Sequence, residues 1–185
     1  MEITQSKLKG AFLVKPNVFG DERGFFMETW NEERFSNEGI DLKFKQDNVS
    51  KSSKGVLRGL HYQLPKSQGK LVYVLEGEVF DVIVDIRKGS PTFGMAESYY
   101  LNETNKHILY VPEGFAHGFL VTSETALFTY KCTETYHPEN EYAILWNDPN
   151  LNIQWPLDSE PTLSKKDCDG IPLSEMNVNN LPSYN

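Results

Sequence analysis

His61 follows Arg58 by three residues and precedes Lys70 by nine, in the run Val56-Leu57-Arg58-Gly59-Leu60-His61-Tyr62-Gln63. Imidazole is the side chain best suited to moving protons near neutral pH, and two cations lie close to it in the chain. The same histidine also suits a hydrogen-bonded core position. His117 sits in Pro112-Glu113-Gly114-Phe115-Ala116-His117-Gly118-Phe119, where two glycines flank it and a turn-capping role fits equally. Arg23 lies within Phe19-Gly20-Asp21-Glu22-Arg23-Gly24-Phe25-Phe26-Met27-Glu28. Its planar fork matches phosphate oxygens, and Phe19 offers a ring on which a base could stack. A surface turn with an Arg–Glu pair explains the same run. Later come Tyr130-Lys131-Cys132-Thr133, Tyr136-His137-Pro138-Glu139-Asn140-Glu141, Trp146-Asn147-Asp148-Pro149 and Ser164-Lys165-Lys166-Asp167. Taken singly, Tyr130 fits a core tyrosine and Ser164 a turn cap.

These groups need a scaffold, and the centre of the chain reads as strands. Leu71–Leu75 runs into the turn signal Glu76-Gly77-Glu78; Phe80, Val82, Val84 and Ile86 then alternate with Asp81, Ile83 and Asp85, the period-2 pattern of a half-buried strand. Glu97–Leu101, Ile108–Val111, Gly118–Val121 and Ala126–Cys132 follow as further short strands. The one early helix is expected over Asn31–Glu38, with Asn31 as N-cap, Glu32 and Glu33 at the positive helix start and Gly39 at the stop. Many short strands with regular turns predict a mainly β, antiparallel sandwich or barrel such as a jelly roll, with few short helices. At 185 residues this is one domain's worth of chain. The tail after Trp155 lacks strand signals and is expected to wrap the surface or pack on a neighbour.

A net charge of −8 argues against a nucleic-acid backbone as partner. Yet two of only four arginines, Arg23 and Arg58, each precede a glycine, as a site for a small anionic ligand requires. The longest apolar run, Leu71–Leu75, is far short of the roughly 20 residues that span a bilayer. The N-terminus carries no apolar secretory core, so a cytoplasmic location is expected. Cys132 and Cys168 form no ligand-spaced pair and are read as reduced bystanders.

In order and spacing, D-E-R-G-F-F-M-E, V-L-R-G-L-H-Y-Q, P-E-G-F-A-H-G-F, Y-K-C-T and W-N-D-P together resemble the dTDP-4-dehydrorhamnose 3,5-epimerase family, over about residues 7–173. The resemblance implies a cupin-type jelly roll and a cofactor-free homodimer. It also implies a dTDP-4-keto-6-deoxyhexose substrate, dTDP-4-dehydro-6-deoxyglucose, epimerised at sugar carbons 3 and 5 on the way to dTDP-L-rhamnose. Many cupins hold a metal through H-x-H, a following Glu and a later His. Gly55 and His61 fit the first motif's spacing and His117 the later His, but Gln63 stands where the second His belongs. A neutral amide replaces imidazole poorly at a transition metal, so the site is read as metal-free, with His61 available as a base.

Carbons 3 and 5 flank the keto group, which acidifies their protons. Inversion needs a base on one face, an acid on the other and stabilisation of the enolate oxygen. The resemblance assigns His61 as base, Asp167 as the carboxylate that holds its tautomer, Tyr130 as acid and Lys70 as the cation near the keto oxygen. It carries Arg23 and Arg58 over as phosphate or sugar contacts. Glu28, Gln46 and Asn48 follow as polar contacts, Phe19 and Tyr136 as stacking rings, and His117, Glu141 and Lys166 as further binding positions. Some of these contacts come from the second subunit in this family. Arg23, Arg58, Lys70 and Lys166 are expected to gather in one pocket. Two rivals share these motifs: an epimerase acting at one carbon or on another dTDP-4-keto sugar, and a cupin that binds a nucleotide sugar without turning it over.

Overall fold

The computed structural model describes residues 1–184. The strands in chain order are β1 (Glu2–Gln5), β2 (Phe12–Lys15), β3 (Val18–Asp21), β4 (Gly24–Met27), β5 (Gln46–Ser53), β6 (Leu57–Gln63), β7 (Lys70–Glu76), β8 (Glu78–Asp85), β9 (Ala96–Asn102), β10 (Ile108–Val111), β11 (Phe115–Val121), β12 (Thr125–Cys132) and β13 (Glu141–Ala143). The α-helices are α1 (Glu32–Asn37) and α2 (Lys165–Cys168). One sheet has the order β1-β2-β10-β7-β12-β5 and the other β13-β6-β11-β8-β9, while β3 and β4 form a separate hairpin. Pairing in both sheets is antiparallel, as the expected cupin-type sandwich requires.

The sandwich closes because strands from both sheets turn apolar faces inward. Val72 and Val74 of β7 and Phe128 of β12 meet Val79 and Ile83 of β8, Leu101 of β9, and Phe119 and Val121 of β11. Full burial of one such side chain is worth about 1.5–3 kcal/mol. The outer face of the five-stranded sheet is covered as well. Phe80, Val82, Val84 and Ile86 pack with Leu151, Leu173, Met176 and Leu181, so the tail wraps its own sheet. This corrects the half-buried reading of β8: Val79 to Asp85 are all buried, and Asp81 and Asp85 have no solvent exposure. The tail seals one face, while each carboxylate finds a partner on the other. Asp85 accepts from Arg87, Ser90 and Thr92, and Asp81 is held by His117.

The helix at α1 matches its sequence signals. Asn31 accepts the Arg34 N–H at 3.1 Å, Phe35 is the buried residue of the helix, and Gly39 follows at φ 78°. Strands β5 and β6 had no clear signal. β5 is an edge strand, Gln-Asp-Asn-Val-Ser-Lys-Ser-Ser, in which only Ser52 is buried. β6 carries Arg58-Gly59, which interrupts its apolar alternation. No helix among the described residues is long and apolar enough to cross a membrane.

Candidate active site

A cavity of about 460 Å³ opens between the two sheets. Gln46 and Asn48 reach it from β5, Arg58 and His61 from β6, Lys70 from β7, His117 from β11, and Tyr130 and Cys132 from β12. Tyr136, Glu141, Lys166 and Asp167 complete the rim. The five-stranded sheet thus supplies both histidines and the six-stranded sheet supplies Tyr130 and Lys70.

Two glycines set how β6 and β11 cross here. A Cβ on Gly59 would lie 2.5 Å from Gly118 Cα, and one on Gly118 would lie 2.6 Å from the Arg58 carbonyl oxygen. With neither present the strands approach closely, the register shifts between His117 and Phe119, and His61 lies opposite His117. This corrects the turn-cap alternative for His117, which is buried in mid-strand with Nε2 2.9 Å from Asp81 Oδ2.

His61 Nε2 lies 2.8 Å from Asp167 Oδ1. The approach is oblique, and this buried nitrogen has no in-line hydrogen bond among the described residues. The carboxylate itself is firmly held. Oδ1 accepts the Gly59 N–H at 2.9 Å, and Oδ2 accepts the Ser164 N–H at 3.0 Å and its hydroxyl at 2.5 Å. Ser164 is the N-cap of α2, and Asp167 closes a reciprocal capping box. Burial of Asp167 would raise its carboxyl, but the His61 ring, Ser164 and the Gly59 N–H outweigh burial and hold it well below the usual carboxylate range. For His61 burial dominates and pushes the imidazole below its ordinary value, against the pull of Asp167. The other ring nitrogen, Nδ1, lies 3.9 Å from Glu141 Oε1. Glu141 in turn accepts from Lys166 Nζ at 2.8 Å and from the Tyr136 hydroxyl at 2.8 Å. Those bonds outweigh the opposing effect of burial and keep its carboxyl below the usual range.

Tyr130 stands across the cavity, half-buried, its ring tilted against Phe128 with centroids 5.9 Å apart. Burial, with Cys132 adding to it, raises the hydroxyl above its ordinary value, so Tyr130 is a proton donor at neutral pH. Lys70 pairs in register with Cys132. Burial pushes its ammonium down, and no carboxylate among the described residues comes within ion-pair range. Arg58 bonds Ser52 Oγ through Nε and Nη2, at 3.2 and 3.1 Å, which fixes the fork beside the opening.

Arg58, Lys70 and Lys166 therefore gather as expected, and Arg23 does not. Arg23 sits on the β3–β4 hairpin, its guanidinium on Asp21 and its side chain 85% exposed. The ion pair is with Asp21 and not with a glutamate. Phe19 and Glu28 also lie away from the cavity, and Glu28 is bound to Arg34 at 3.2 Å. The hairpin belongs to neither main sheet, so nothing folds it over this protomer's cavity.

Several lining residues were not anticipated, Cys132, Phe119 and Phe128 among them. Cys132, read as a bystander, lines the cavity with its sulfur 3.6 Å from Asn48 Nδ2. Phe119 and Phe128 stack at 4.2 Å as an apolar wall, a face that alternation alone does not separate from the core. Asp81, which holds His117, was read only as part of the polar face of a half-buried strand. Among the described residues, no group of three or more His, Cys, Asp or Glu is placed to hold a metal. Gln63 is turned into backbone hydrogen bonds and not toward His117.

A family model described as dTDP-4-dehydrorhamnose 3,5-epimerase matches residues 5–175. A relative of that name from Methanothermobacter thermautotrophicus is 49% identical over 173 residues, covering 92% of this chain and 94% of the relative. One from Pseudomonas aeruginosa is 52% identical over 171 residues, with coverage of 92% and 94%. The fold superposes with a TM-score of 0.97 on an epimerase from Legionella pneumophila solved with dTDP-4-keto-L-rhamnose, 49% identical and covering 100% and 98% of the two chains. A 3'-monoepimerase from Streptomyces bikiniensis, solved with dTDP-quinovose, aligns with a TM-score of 0.91 at 35% identity, covering 97% of this chain and 92% of its own.

Proposed function

The chain belongs to the dTDP-4-dehydrorhamnose 3,5-epimerase family, and from that premise we propose how its cavity inverts two sugar carbons. The protein is an isomerase: it epimerises dTDP-4-dehydro-6-deoxy-D-glucose at carbons 3 and 5 to dTDP-4-dehydro-L-rhamnose. His61 removes the proton beside the keto group. Asp167 supports the imidazolium that forms. Lys70, a cation without a carboxylate partner among the described residues, lowers the energy of the enolate oxygen. Tyr130 returns a proton from the opposite face. One observation carries this reading: His61 of one sheet, beside Asp167 of α2, shares a cavity with Tyr130 and Lys70 of the other sheet, and Lys70 has no carboxylate partner among the described residues.

Arg58 and Lys166 take the diphosphate, with Gln46, Asn48, His117, Tyr136 and Glu141 as polar and ring contacts around the nucleotide sugar. The chemistry assigned to these residues needs no metal or organic cofactor. We further assign Phe19, Arg23 and Glu28 to the cavity of a second copy. They lie on or beside a hairpin that projects from its own protomer, with Phe19, Phe25 and Phe26 each more than half exposed. The working enzyme is then a homodimer. A cytoplasmic location accords with the two free cysteines.

Incubation with dTDP-4-dehydro-6-deoxyglucose in deuterium oxide, read by proton NMR, tests the reading. Deuterium at both carbons and inversion of both centres are expected. Inversion of a single centre would move the chain to the monoepimerase type, and binding of dTDP without any exchange would reduce it to a binding protein.

A further inference from the structure

Three glutamine side chains, from three places in the chain, grip four consecutive residues of one loop. Gln68 Nε2 donates to the Glu134 carbonyl at 2.9 Å. Gln63 Nε2 donates to the Thr135 carbonyl at 3.1 Å. The Tyr136 N–H donates to Gln46 Oε1 at 2.8 Å, and the His137 N–H donates to Gln63 Oε1 at 2.8 Å. Gln63 alone serves both sides of Tyr136. It is 5% exposed and also donates to the Lys66 carbonyl at 2.6 Å.

Only an amide meets this demand. The nitrogen must give two hydrogen bonds to carbonyls and the oxygen must receive one from an N–H. A glutamate would set a second acceptor against two carbonyl oxygens, and an apolar residue would remove the partner of three backbone groups at once. Gln46 and Gln68 line the cavity, whereas Gln63 does not. What the loop presents is Tyr136, whose ring is 48% exposed at the cavity rim and whose hydroxyl bonds Glu141. The ring is free to meet a ligand while its backbone is fixed in advance, which lowers the ordering cost of binding.

We propose that Gln63 is a positioning residue for substrate binding: it holds the Thr135–His137 backbone so that Tyr136 meets the nucleotide at the mouth of the cavity. The proposal rests on the reading of Tyr136 as a binding ring.

The test is a double-mutant cycle of Gln63→Glu and Tyr136→Ala on dTDP affinity, by calorimetry, with KM and kcat in parallel. Gln63→Glu is expected to raise the dTDP dissociation constant and KM about tenfold and to change kcat less than about twofold. In the Tyr136→Ala background the same change should add less than about twofold. If the two costs multiply, or if Gln63→Glu lowers kcat at unchanged KM, the proposal is overturned while Tyr136 keeps its role. If Tyr136→Ala leaves dTDP binding intact, the reading of Tyr136 fails and the proposal with it. Should Gln63→Glu not fold, hydrogen exchange on the unliganded wild type decides. Slow exchange at the Tyr136 and His137 amides is expected, and exchange at the rate of a free loop overturns the clamp.

Discussion

His61 and Asp167 lie 106 residues apart in the chain, yet their side chains meet at 2.8 Å because the α2 capping box and the Gly59 N–H fix the carboxylate. The imidazole is thereby given a partner on Nε2, which leaves Nδ1 as its open nitrogen. His61→Ala should abolish solvent deuterium incorporation at both carbons. Asp167→Asn should keep the fold and lower kcat by roughly 10²–10⁴, the span seen when a histidine base loses its partner or its function. Exchange at the wild-type rate in His61→Ala would sink the assignment of the base.

The pH dependence follows from the same pair. Burial holds His61 below its ordinary value of about 6.5, so the neutral, basic form persists into mildly acid solution. The acid limb of kcat/KM should therefore lie below pH 6.5. Both groups have depressed values in the fold, so both favour the folded state at neutral pH. Stability should be complete above about pH 6.5, decline as pH falls through the His61 value, and decline again below about pH 4 as Asp167 is protonated. Thermal melting across pH checks this, and Asp167→Asn should remove the lower step alone. An acid limb above pH 7 would contradict the burial argument.

Legibility in the sequence varied with the kind of constraint. His61, Tyr130, Asp167 and Lys70 stood out because short motifs surround them, and the fold brings all four to one cavity. The strands β7 to β12 were readable because their apolar alternation is dictated by a buried face. β5 was not, since an edge strand with a polar cavity face carries no such alternation. Asp81 looked solvent-facing because the tail that seals the other side of β8 lies far along the chain. Arg23 stands on a separate hairpin away from the cavity, and no local pattern encodes that.

Tyr130 and His61 act from opposite sheets, so their losses should differ in kind. A base mutant stops proton removal and with it every later event. Tyr130→Phe keeps the base and the Lys70 ammonium, so an enolate still forms and returns to substrate. Solvent exchange should then outlast net inversion at the carbon Tyr130 serves, as read by NMR in deuterium oxide. Equal loss of exchange and inversion would show that Tyr130 acts before the enolate, in a role other than reprotonation.

The exposed hairpin makes the proposed dimer testable through activity. Arg23→Ala and His61→Ala homodimers should each be nearly inactive, because each lacks one part of every site. A mixed dimer would carry both defects in one site and neither in the other. With random exchange of subunits, activity should return to about a quarter of wild type, as follows from two-fold symmetry. Mixing that restores nothing, with exchange confirmed by mass, would place Arg23 and His61 in service of the same protomer's cavity.

Local charge, and not the net −8, should govern binding of the nucleotide. Arg58, Lys70 and Lys166 converge on one cavity, where they outnumber the carboxylates of Glu141 and Asp167. Low-dielectric walls strengthen that local field, and mobile ions weaken it where the cavity meets solvent. Lys166 is 48% exposed and Lys70 only part-exposed within the cavity, so the two cations should respond differently to salt. The screening length falls from about 10 Å at 0.1 M to about 3 Å at 1 M salt, so the dTDP dissociation constant should rise by about an order of magnitude across that range. Lys166→Gln should weaken binding at low salt and flatten the salt dependence, because its contribution is the screened one. Calorimetric titrations at several salt concentrations check both slopes. A dissociation constant that does not change with salt would mean that hydrogen bonds and ring contacts, and not the cations of the cavity, hold the nucleotide.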